Sequence, residues 1–546
     1  MRHAIAASDS LSVWAKQTHT AQFIVDALHR LDLIPHHSRV EIRSSIHWDG
    51  TIGGYLRNVI RPKLYTLEKS LRVIRNALYE EWFSLSHFLT RSNLPPHEEE
   101  GADITIATYP DSWRGMQESR NRYLGDLVEK LEQSDLSVEY VPAVLGGKAR
   151  THFFNATKAI SSFRWDIFHQ SPWEPLRSLR TLWKIRRAIT SARTSIVNND
   201  DLAVDGLDAT DWIWIQLNSL SLDNGFQIIH MYRSLRQALS RLEPDILFYK
   251  DEVYSTGMAV SSAAPPSTTR WSFQHGAIVK NHLAYAIDGR FVSANKSPDS
   301  HHIPMPDLFL SYGEDITNHV TQFGYPSTRV NAIGSFRHDA LFRLSRQYEG
   351  EAKRIDLRRQ LGIDEKRSVV LICTQLPRNV PLWLKMVVRG CRQSAIDNPL
   401  ILIKSHPRYP VDGIVDSHMS QMEWSEYRIY HDKLHELLII ADVMITGGST
   451  TGLEALTLGC PLITIESKDG IDHLPYVEEG VALAASDTTS MVDALNRVID
   501  PMFLKERKPM IDCFLRRQFS PSLGSATLEL IDLFKAHKSA QSSHLL

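Results

Sequence analysis

The sequence contains few cysteines and none of the cysteine pairs that hold metals. Its four cysteines lie far apart in 546 residues and form no Cys-x-x-Cys motif; they are Cys373, Cys391, Cys460 and Cys513. This spacing predicts reduced thiols in a cytoplasmic protein and no zinc site. No histidine pair stands beside a third plausible ligand either, so we expect no metal site.

A long apolar segment is also missing. No run approaches the roughly 18 apolar residues that a membrane-spanning helix needs. The first residues, MRHAIAASDSLSVWAK, lack the continuous apolar core of a signal peptide. These absences predict a cytoplasmic protein in which any contact with the inner membrane is peripheral.

The chain has no excess of basic residues. Its 61 Lys and Arg are balanced by 63 Asp and Glu, giving a net charge of −2, which argues against a nucleic-acid partner. Neither G-x-x-x-x-G-K-[ST] nor G-x-G-x-x-G follows an apolar strand, which disfavours P-loop and dehydrogenase-type nucleotide sites.

What the sequence does contain is an alternation of short apolar strands and amphipathic helices, a pattern typical of parallel sheets. We predict an α/β protein with one such domain at residues 101–306 and a second at 307–505. The first domain contains a helical, tryptophan-rich insertion at about 153–223. Residues 1–100 are predicted to form a helical extension, and 506–546 a helix that packs back across the domains.

The clearest candidate for a ligand site is the segment MITGGSTTGLEALTLGCPLITIE, in which an apolar strand ends in glycines and hydroxyl residues before a helix. Backbone N–H groups and hydroxyls at a helix start suit a phosphate, and a carboxylate one turn later can bind a ribose diol. The candidate ligands are Gly448, Ser449, Thr450, Thr451 and Glu454. Alternatively, Thr451 and Glu454 form a capping box that only satisfies the helix start.

Two other strands in the same half end in polar side chains. Thr374 and Gln375 follow VVLIC, and the segment KSHPR supplies Lys404, His406 and Arg408 after LILI. Cations and a directional histidine donor suit a diphosphate. Because ligands bind at the carboxyl ends of parallel strands, the three strand ends together predict one nucleotide-diphosphate site. The alternative for KSHPR is a solvated turn.

Acid–base candidates lie at strand ends of the first half. Asp251 and Glu252 follow DILFYK, and His275 follows the strand WSFQ. A neutral imidazole accepts protons readily at pH 7, whereas a carboxylate needs burial to raise its pKa. We favour His275 as the base and keep Glu252, whose neighbours are apolar and aromatic, as the alternative. Surface turn residues are the other interpretation of Asp251 and Glu252.

A basic segment, PWEPLRSLRTLWKIRRAITSAR, spans residues 172–193. Leu176, Leu179 and Trp183 form a helical stripe that Arg186 and Arg187 interrupt. Two interpretations remain: a helix on an anionic membrane surface, or a solvated helix packed by its stripe.

The segment LHELLIIADVMITGGSTTGLEALTLGCPLITIE resembles the donor half of glycosyltransferases with the GT-B fold. With DEVYSTGMA, QHGAI, the segment DLFLSYGED through SFRHDAL, and IKSHPR, its order is similar to that of bacterial surface-polysaccharide transferases. These include capsule and Kdo transferases and the CDP-glycerol glycerophosphotransferase-like group. The resemblance covers about residues 102–535 and implies two Rossmann-like domains facing a cleft.

The resemblance also implies roles for individual residues. Glu454 would bind the ribose, Ser449 to Thr451 the diphosphate with His406 nearby, and His275 would be catalytic. The glycerophosphotransferase-like group usually has an aspartate- and serine-rich helix start in place of GGSTTGLE, which favours sugar transfer over glycerol-phosphate transfer.

We therefore expect a glycosyltransferase that uses a nucleotide sugar and needs no metal or other cofactor. Its expected acceptor is a growing surface glycan, such as capsule or lipopolysaccharide, or a lipid-linked precursor. The alternatives are a UDP-GlcNAc 2-epimerase-type enzyme, a CDP-glycerol-type glycerophosphotransferase and a non-catalytic binding protein.

Overall fold

The computed structural model of the chain describes residues 10–15, 39–44, 73–78, 80, 101–109, 123–145, 148–157, 162–165, 173–192, 203–204, 207–208, 225–279, 283–285, 303–407, 409–465, 474–500 and 502–544. Within these ranges the strands are β1 (Ser10–Ala15), β2 (Arg39–Ser44), β3 (Ile104–Thr108), β4 (Val138–Pro142), β5 (Ala203–Val204), β6 (Leu207–Asp208), β7 (Ile246–Tyr249), β8 (Thr269–Phe273), β9 (Leu308–Ser311), β10 (Val330–Ala332), β11 (Val369–Cys373), β12 (Leu400–Lys404), β13 (Tyr427–Tyr430), β14 (Val443–Thr446), β15 (Leu462–Ile465) and β16 (Leu483–Ala485).

The α-helices in the same ranges are Leu127–Glu132, Lys148–Thr157, Glu174–Ser191, Gly225–Leu242, Ser255–Ala263, Glu314–Gln322, Asp339–Gln347, Glu351–Gln360, Val380–Gln393, Asp412–Gln421, Leu434–Ile440, Thr451–Thr457, Thr488–Val498, Met502–Phe519 and Ala526–His544. Short 3₁₀ turns occur at Leu283–Tyr285, Ser327–Arg329, Phe336–His338 and Pro377–Asn379. No helix in the described part of the chain is both long and apolar enough to cross a bilayer.

The first sheet has the strand order β10-β9-β8-β7-β3-β4, and all its strands run in parallel. From β3 the chain moves outward to β4, whereas from β7 it moves outward in the opposite direction. The carboxyl ends of β3 and β7 therefore flank a topological switch point, where open α/β sheets bind their ligands. Tyr109 follows β3 and Lys250 follows β7 at this point.

The second sheet has the order β13-β12-β11-β14-β15-β16 and is also parallel. Its switch point lies between β11 and β14, because the chain proceeds from these two strands in opposite directions. β11, β12 and β14 are buried at every position, as their continuous apolar sequences require of strands covered on both faces. The two parallel sheets confirm the predicted α/β class with two Rossmann-like domains.

The division between the domains differs from the predicted one. β9 and β10 belong to the first sheet, although the boundary predicted between residues 306 and 307 assigned them to the second domain. Residues 303–332 continue the strand–helix alternation without a linker-like sequence, so the pattern gave no signal that β9 and β10 belong to the first sheet.

Two helices at the C-terminus cover different domains. Phe514 and Phe519, on the helix Met502–Phe519, belong to the core of the second domain. Phe534, on the helix Ala526–His544, stacks on Trp271 and packs edge-on against Phe248 in the core of the first domain. The buried carboxylate of Asp339 fixes the start of this last helix by accepting hydrogen bonds from the backbone N–H groups of residues 526 and 527, at 3.1 and 2.7 Å.

The helical extension predicted for residues 1–100 is only partly helical where the structure describes it. Residues 73–78 are helical, but β1 and β2 pair in parallel. RVEIR and the first four residues of SLSVWA alternate polar and apolar residues, which is the strand period. In the predicted insertion, the described parts comprise helices and a two-residue antiparallel pair, β5 with β6; the remainder of both regions lies outside the described residues.

Candidate active site

The candidate residues lie where the carboxyl edges of the two sheets approach each other. Arg337, in the 3₁₀ turn that follows β10, contacts both edges. Its guanidinium donates to the backbone carbonyl of His275 at 3.3 Å, beyond β8 of the first sheet. The same guanidinium lies 3.8 Å from the carboxylate of Glu454, beyond β14 of the second sheet. One cation therefore joins the predicted acid–base residues to the predicted nucleotide residues.

The loop after β14 follows the predicted strand–loop–helix path. A side chain at Gly447 would collide with the ring of Trp383, 2.6 Å from an ideal Cβ, and Gly448 has a φ of +74°, which favours glycine. Tyr476 donates from its hydroxyl to the carbonyl of Ser449 at 2.8 Å. The tight path and this bond hold the loop against the end of the sheet.

The start of the helix Thr451–Thr457 is not a capping box. Thr450 occupies the N-cap position and makes no side-chain capping bond, while Thr451 is already helical and donates its N–H to the Ser449 hydroxyl oxygen at 3.3 Å. The hydroxyl oxygen of Thr451 is buried and has no hydrogen-bond partner among the described residues. The structure thus removes the capping alternative for Thr451 and Glu454, because the Glu454 carboxylate is directed elsewhere.

Glu454 is a buried carboxylate that remains ionised. It is 5% exposed, and its Oε2 lies 3.1 Å from Nε2 of His435, on the helix Leu434–Ile440. Burial by itself would raise the pKa of Glu454, but the His435 hydrogen bond and the charge of Arg337 outweigh burial and lower the pKa to about 2. The pKa of His435 is raised by the same bond, against the effect of its own burial.

The neighbouring strand ends form a continuous hydrogen-bonded edge. Thr446 donates to the carbonyl of Cys373 at 3.2 Å, and Thr374 donates to the carbonyl of Lys404 at 3.2 Å. The backbone N–H of His406 donates to the Thr374 hydroxyl at 3.0 Å, and the His406 ring stacks on Tyr409. The buried hydroxyl of Thr374 thus connects the end of β11 to the end of β12.

The other candidates at this edge have different surroundings. Gln375 lies beside Gly447, since its side-chain oxygen is 2.9 Å from an ideal Cβ there. Lys404 is buried and donates to the carbonyl of Ser405 at 3.0 Å. Arg408 lies outside the described residues, so its predicted role stays a prediction.

In the first domain, Asp251 and His275 form an acid–imidazole pair. Nε2 of His275 lies 3.1 Å from Oδ1 of Asp251, while Nζ of Lys250 lies 2.5 Å from Oδ2. Asp251 has a φ of +66°, an uncommon conformation for a residue other than glycine and one that tends to occur at functional sites. The side chains of Asp251 and His275 are 15% and 25% exposed, so the pair borders the cleft.

Glu252 lies in separate surroundings behind this pair. It is fully buried, accepts from Ser272 at 2.7 Å and from Tyr325 at 3.4 Å, and is surrounded by the apolar cluster around Val253 and Tyr285. Burial raises the pKa of Glu252 to about 7, although the Ser272 hydrogen bond opposes that rise. The two candidate bases therefore differ in access: His275 borders the cleft and Glu252 does not.

Tyr123 is the centre of a cluster that sequence reasoning missed. Nζ of Lys250 lies 4.8 Å from the centre of its ring, the Arg337 guanidinium lies 5.8 Å away, and the His275 ring approaches its edge. Lys250 also lies over Tyr109, at 4.2 Å. Such cation–aromatic contacts hold two cations near the cleft without neutralising them.

Arg337 and His435 were also missed as site residues. Both lie in segments that carry the resemblance, SFRHDAL and LHELLIIAD, but neither follows a strand directly. An examination of helix and turn starts, in addition to strand ends, would have included them.

The described residues contain no metal-binding group and no disulfide. Among the residues that the structure describes, no group of three His, Cys, Asp or Glu side chains could hold a metal ion. All four cysteines are free, and burial raises the pKa of the Cys391 and Cys460 thiols to about 12.

No protein-family model and no curated protein matches the chain. Similar solved structures include UDP-GlcNAc 2-epimerase from Neisseria meningitidis bound to UDP-GlcNAc, at 12% identity, 79% coverage of this chain and 99% of that chain, with a TM-score of 0.47. They also include UDP-GlcNAc 2-epimerase from Methanocaldococcus jannaschii, at 13% identity, 79% and 99% coverage and a TM-score of 0.46. The wall teichoic acid polymerase TagF is similar at 13% identity, 88% and 99% coverage and a TM-score of 0.45.

Two of these three structures are UDP-GlcNAc 2-epimerases, the type of enzyme that the sequence left open as an alternative. Since the TM-scores of these three structures are below 0.5, the α/β fold of this chain is identified by the strand orders of its two sheets.

The buried carboxyl of Glu252 predicts a pH-dependent stability. Its ordinary pKa is 4.5 and its folded value is about 7, so between these pH values the folded protein holds a proton that the unfolded chain has lost. The free energy of unfolding therefore falls as pH rises from about 4.5 to about 7. Since glutamine does not ionise, Glu252→Gln should gain on the order of 2–3 kcal/mol over the parent between pH 4.5 and pH 8 in urea unfolding. If the difference in the free energy of unfolding between Glu252→Gln and the parent is the same at pH 4.5 and pH 8, the pKa of Glu252 is not raised.

Proposed function

We propose that the protein is a glycosyltransferase that transfers a sugar from a nucleotide-activated donor to a glycan or lipid-linked acceptor, without a metal ion. The observation that carries the proposal is the position of Arg337. It links an ionised carboxylate suited to a ribose, Glu454, to an acid–imidazole pair suited to proton transfer, Asp251 with His275. A donor bound at one sheet edge and an acceptor at the other would meet at this cation.

The donor is assigned to the second domain. Glu454 offers an ionised carboxylate to the ribose diol, and His435 orients that carboxylate. Gly448 to Thr451 lie at the end of β14, and the buried Thr451 hydroxyl, which has no hydrogen-bond partner among the described residues, would donate to a phosphate oxygen once a small movement uncovers it. Lys404, His406 and Gln375 lie at the same edge and contribute to the diphosphate site together with the predicted contribution of Arg408.

The proposed reaction needs one proton transfer and one charge stabilisation. The acceptor hydroxyl loses its proton to His275 as its oxygen bonds to the anomeric carbon, and the bond from that carbon to the diphosphate oxygen breaks. With Nε2–H directed at Asp251, the nitrogen that takes the proton is Nδ1, and Asp251 stabilises the imidazolium that forms. Nδ1 is covered in this structure, so binding of the acceptor must involve movement that uncovers it.

The nucleoside diphosphate leaves with developing negative charge. Arg337 is the cation closest to both halves of the site, and a guanidinium is well suited to binding phosphate oxygens in a bidentate manner. Lys404 and the backbone N–H groups at the end of β14 add to this stabilisation. A fixed set of donors of this kind performs the role that a divalent cation has in other transferases.

Loss of Glu454 should weaken donor binding more than folding. A nucleotide sugar at 100 times its dissociation constant should add about 2.7 kcal/mol to stability. We expect a thermal-shift screen over UDP-, CMP-, CDP-, GDP- and dTDP-sugars to identify a stabilising donor for the parent, and Glu454→Ala to lose that shift. The matched control is Glu174→Ala, which removes a buried, Arg233-bonded carboxylate from the first domain and should keep the shift. If Glu454→Ala melts earlier but binds donors as the parent does, Glu454 is only structural.

Removal of the imidazole should affect turnover and not donor affinity. We expect His275→Ala to lower the rate of sugar transfer by about 10²-fold or more, the usual contribution of a general base. Asp251→Asn should lower it as well and shift the pH–rate profile, because Asp251 orients the ring. If His275→Ala instead loses donor binding while Glu252→Gln abolishes turnover, then Glu252 is the base. Interconversion of a free nucleotide sugar without acceptor would favour the epimerase alternative.

Chelation tests the metal-free mechanism directly. Because Arg337 and Lys404 supply the positive charge, transfer activity should be the same in EDTA as in magnesium or manganese. The measurement is the initial rate with the donor identified by the screen. Loss of turnover in EDTA that manganese or magnesium restores would show that these cations are insufficient.

A further inference from the structure

The helix Glu174–Ser191 presents large apolar side chains to solvent. Trp173, directly before it, is 60% exposed, Leu176 is 46% exposed and Trp183 is 59% exposed. Their spacing of three and seven residues places them on one face of the helix. Exposed tryptophans at two positions of one helix face are unusual for a surface that contacts only water.

The opposite face of the helix is the one that holds it to the protein. Leu182 packs with Phe226 of the helix Gly225–Leu242 in a buried cluster, and Leu179 lies against that cluster. The buried carboxylate of Glu174 is bonded to Arg233 of the same neighbouring helix. The stripe predicted from the sequence is therefore divided: Leu179 faces inward, whereas Leu176 and Trp183 face outward. Packing against the described part of the chain does not account for the exposure of Leu176 and Trp183.

Cations are interleaved with the exposed apolar residues. The segment 173–192 carries five Arg or Lys side chains and one acidic side chain, the buried Glu174. Arg180, Lys184 and Arg187 are exposed, and Arg187 lies over the ring of Trp183 at 5.6 Å. Arg180 and Lys184 form no ion pair with any described residue. This local positive charge contrasts with the net charge of −2 of the whole chain.

A second exposed pair lies in the same helical layer. Val73 and Ala77 pack in the same buried cluster as Leu182, while Ile74 and Leu78 of this helical turn are 50% and 65% exposed. Both helical segments that share this buried cluster therefore expose apolar side chains as well.

We propose that the exposed face of the helix Glu174–Ser191, with Trp173, rests on the surface of an anionic lipid bilayer. Tryptophans favour the level of the lipid headgroups, where an apolar ring and a polar N–H are both satisfied. Interleaved Arg and Lys side chains are attracted to anionic headgroups and keep the helix parallel to the surface. The inference rests on exposure and charge in the first domain and does not depend on the proposed sugar transfer.

Co-sedimentation of the full chain with vesicles tests the proposal. We expect binding to vesicles that contain phosphatidylglycerol and phosphatidylcholine, weak binding to phosphatidylcholine alone, and a decrease in binding as salt rises, because exposed charges are screened. Trp173→Ala with Trp183→Ala should lower the partition coefficient for anionic vesicles about 10-fold or more. Arg180→Glu with Lys184→Glu should do the same.

The chain supplies matched controls for both changes. Lys385 and Arg389 form another exposed cationic pair four residues apart, on the helix Val380–Gln393 of the second domain, and Leu382 of that helix is 53% exposed. Lys385→Glu with Arg389→Glu, and Leu382→Ala, should leave vesicle binding unchanged. All variants should keep the melting temperature of the parent and the rise in melting temperature that a nucleotide sugar causes. Failure to find a nucleotide-sugar donor would therefore be distinguishable from failure to bind vesicles.

Three results would overturn the proposal. The parent chain could fail to bind anionic vesicles, or the two charge-reversed pairs could weaken binding equally, which indicates unspecific attraction. Alternatively, the chain could form a dimer and fail to bind vesicles, and Trp173→Ala with Trp183→Ala could convert the dimer to a monomer. That result would identify the exposed helix face as a protein interface.

Discussion

The buried, ionised carboxylate of Glu454 imposes a constraint on which the rest of the site depends. A carboxylate at this depth is stable only if nearby positive charge and hydrogen bonds replace the water that it has lost. His435 supplies a hydrogen bond from the same domain, and Arg337 supplies charge from the turn that leaves the first sheet. Arg337 also donates to the carbonyl of His275. The residue that stabilises the Glu454 carboxylate therefore also fixes the positions of the two sheet edges relative to each other.

The features that sequence could predict are those that local patterns determine. Near-continuous apolar runs identified β11, β12 and β14, because strands covered on both faces are built mainly from apolar residues. The polar residues that follow them, such as Thr374 and Ser449, had to lie together because parallel strands end at a common edge. The aromatic and apolar residues of FYKDEVY also suggested a raised pKa for Glu252, and burial does raise it, although the charged Lys250 and Asp251 directly precede this residue.

Contacts between distant segments could not be predicted in this way. Arg337 reaches His275 across 62 residues, and His435 reaches Glu454 across 19. The period of apolar residues along a helix does not indicate which neighbour each face contacts. Leu179 and Trp183 belong to one stripe in the sequence, but Leu179 packs against the protein and Trp183 is exposed. The membership of β9 and β10 in the first sheet escaped prediction because the strand–helix alternation continues through them unchanged.

Asp251 and Glu252 show how the fold divides adjacent residues of similar chemistry. The chain leaves β7 after Tyr249, and the positive φ of +66° at Asp251 turns the backbone between the two side chains. One carboxylate therefore meets Lys250 and His275 at the cleft, and the next enters an apolar cluster with Ser272 and Tyr325. The Asp251 carboxylate lies beside a cation and an imidazole, whereas burial raises the pKa of Glu252 to about 7. Accordingly, Asp251 can support proton transfer at His275, while Glu252 makes the turn beneath it sensitive to pH.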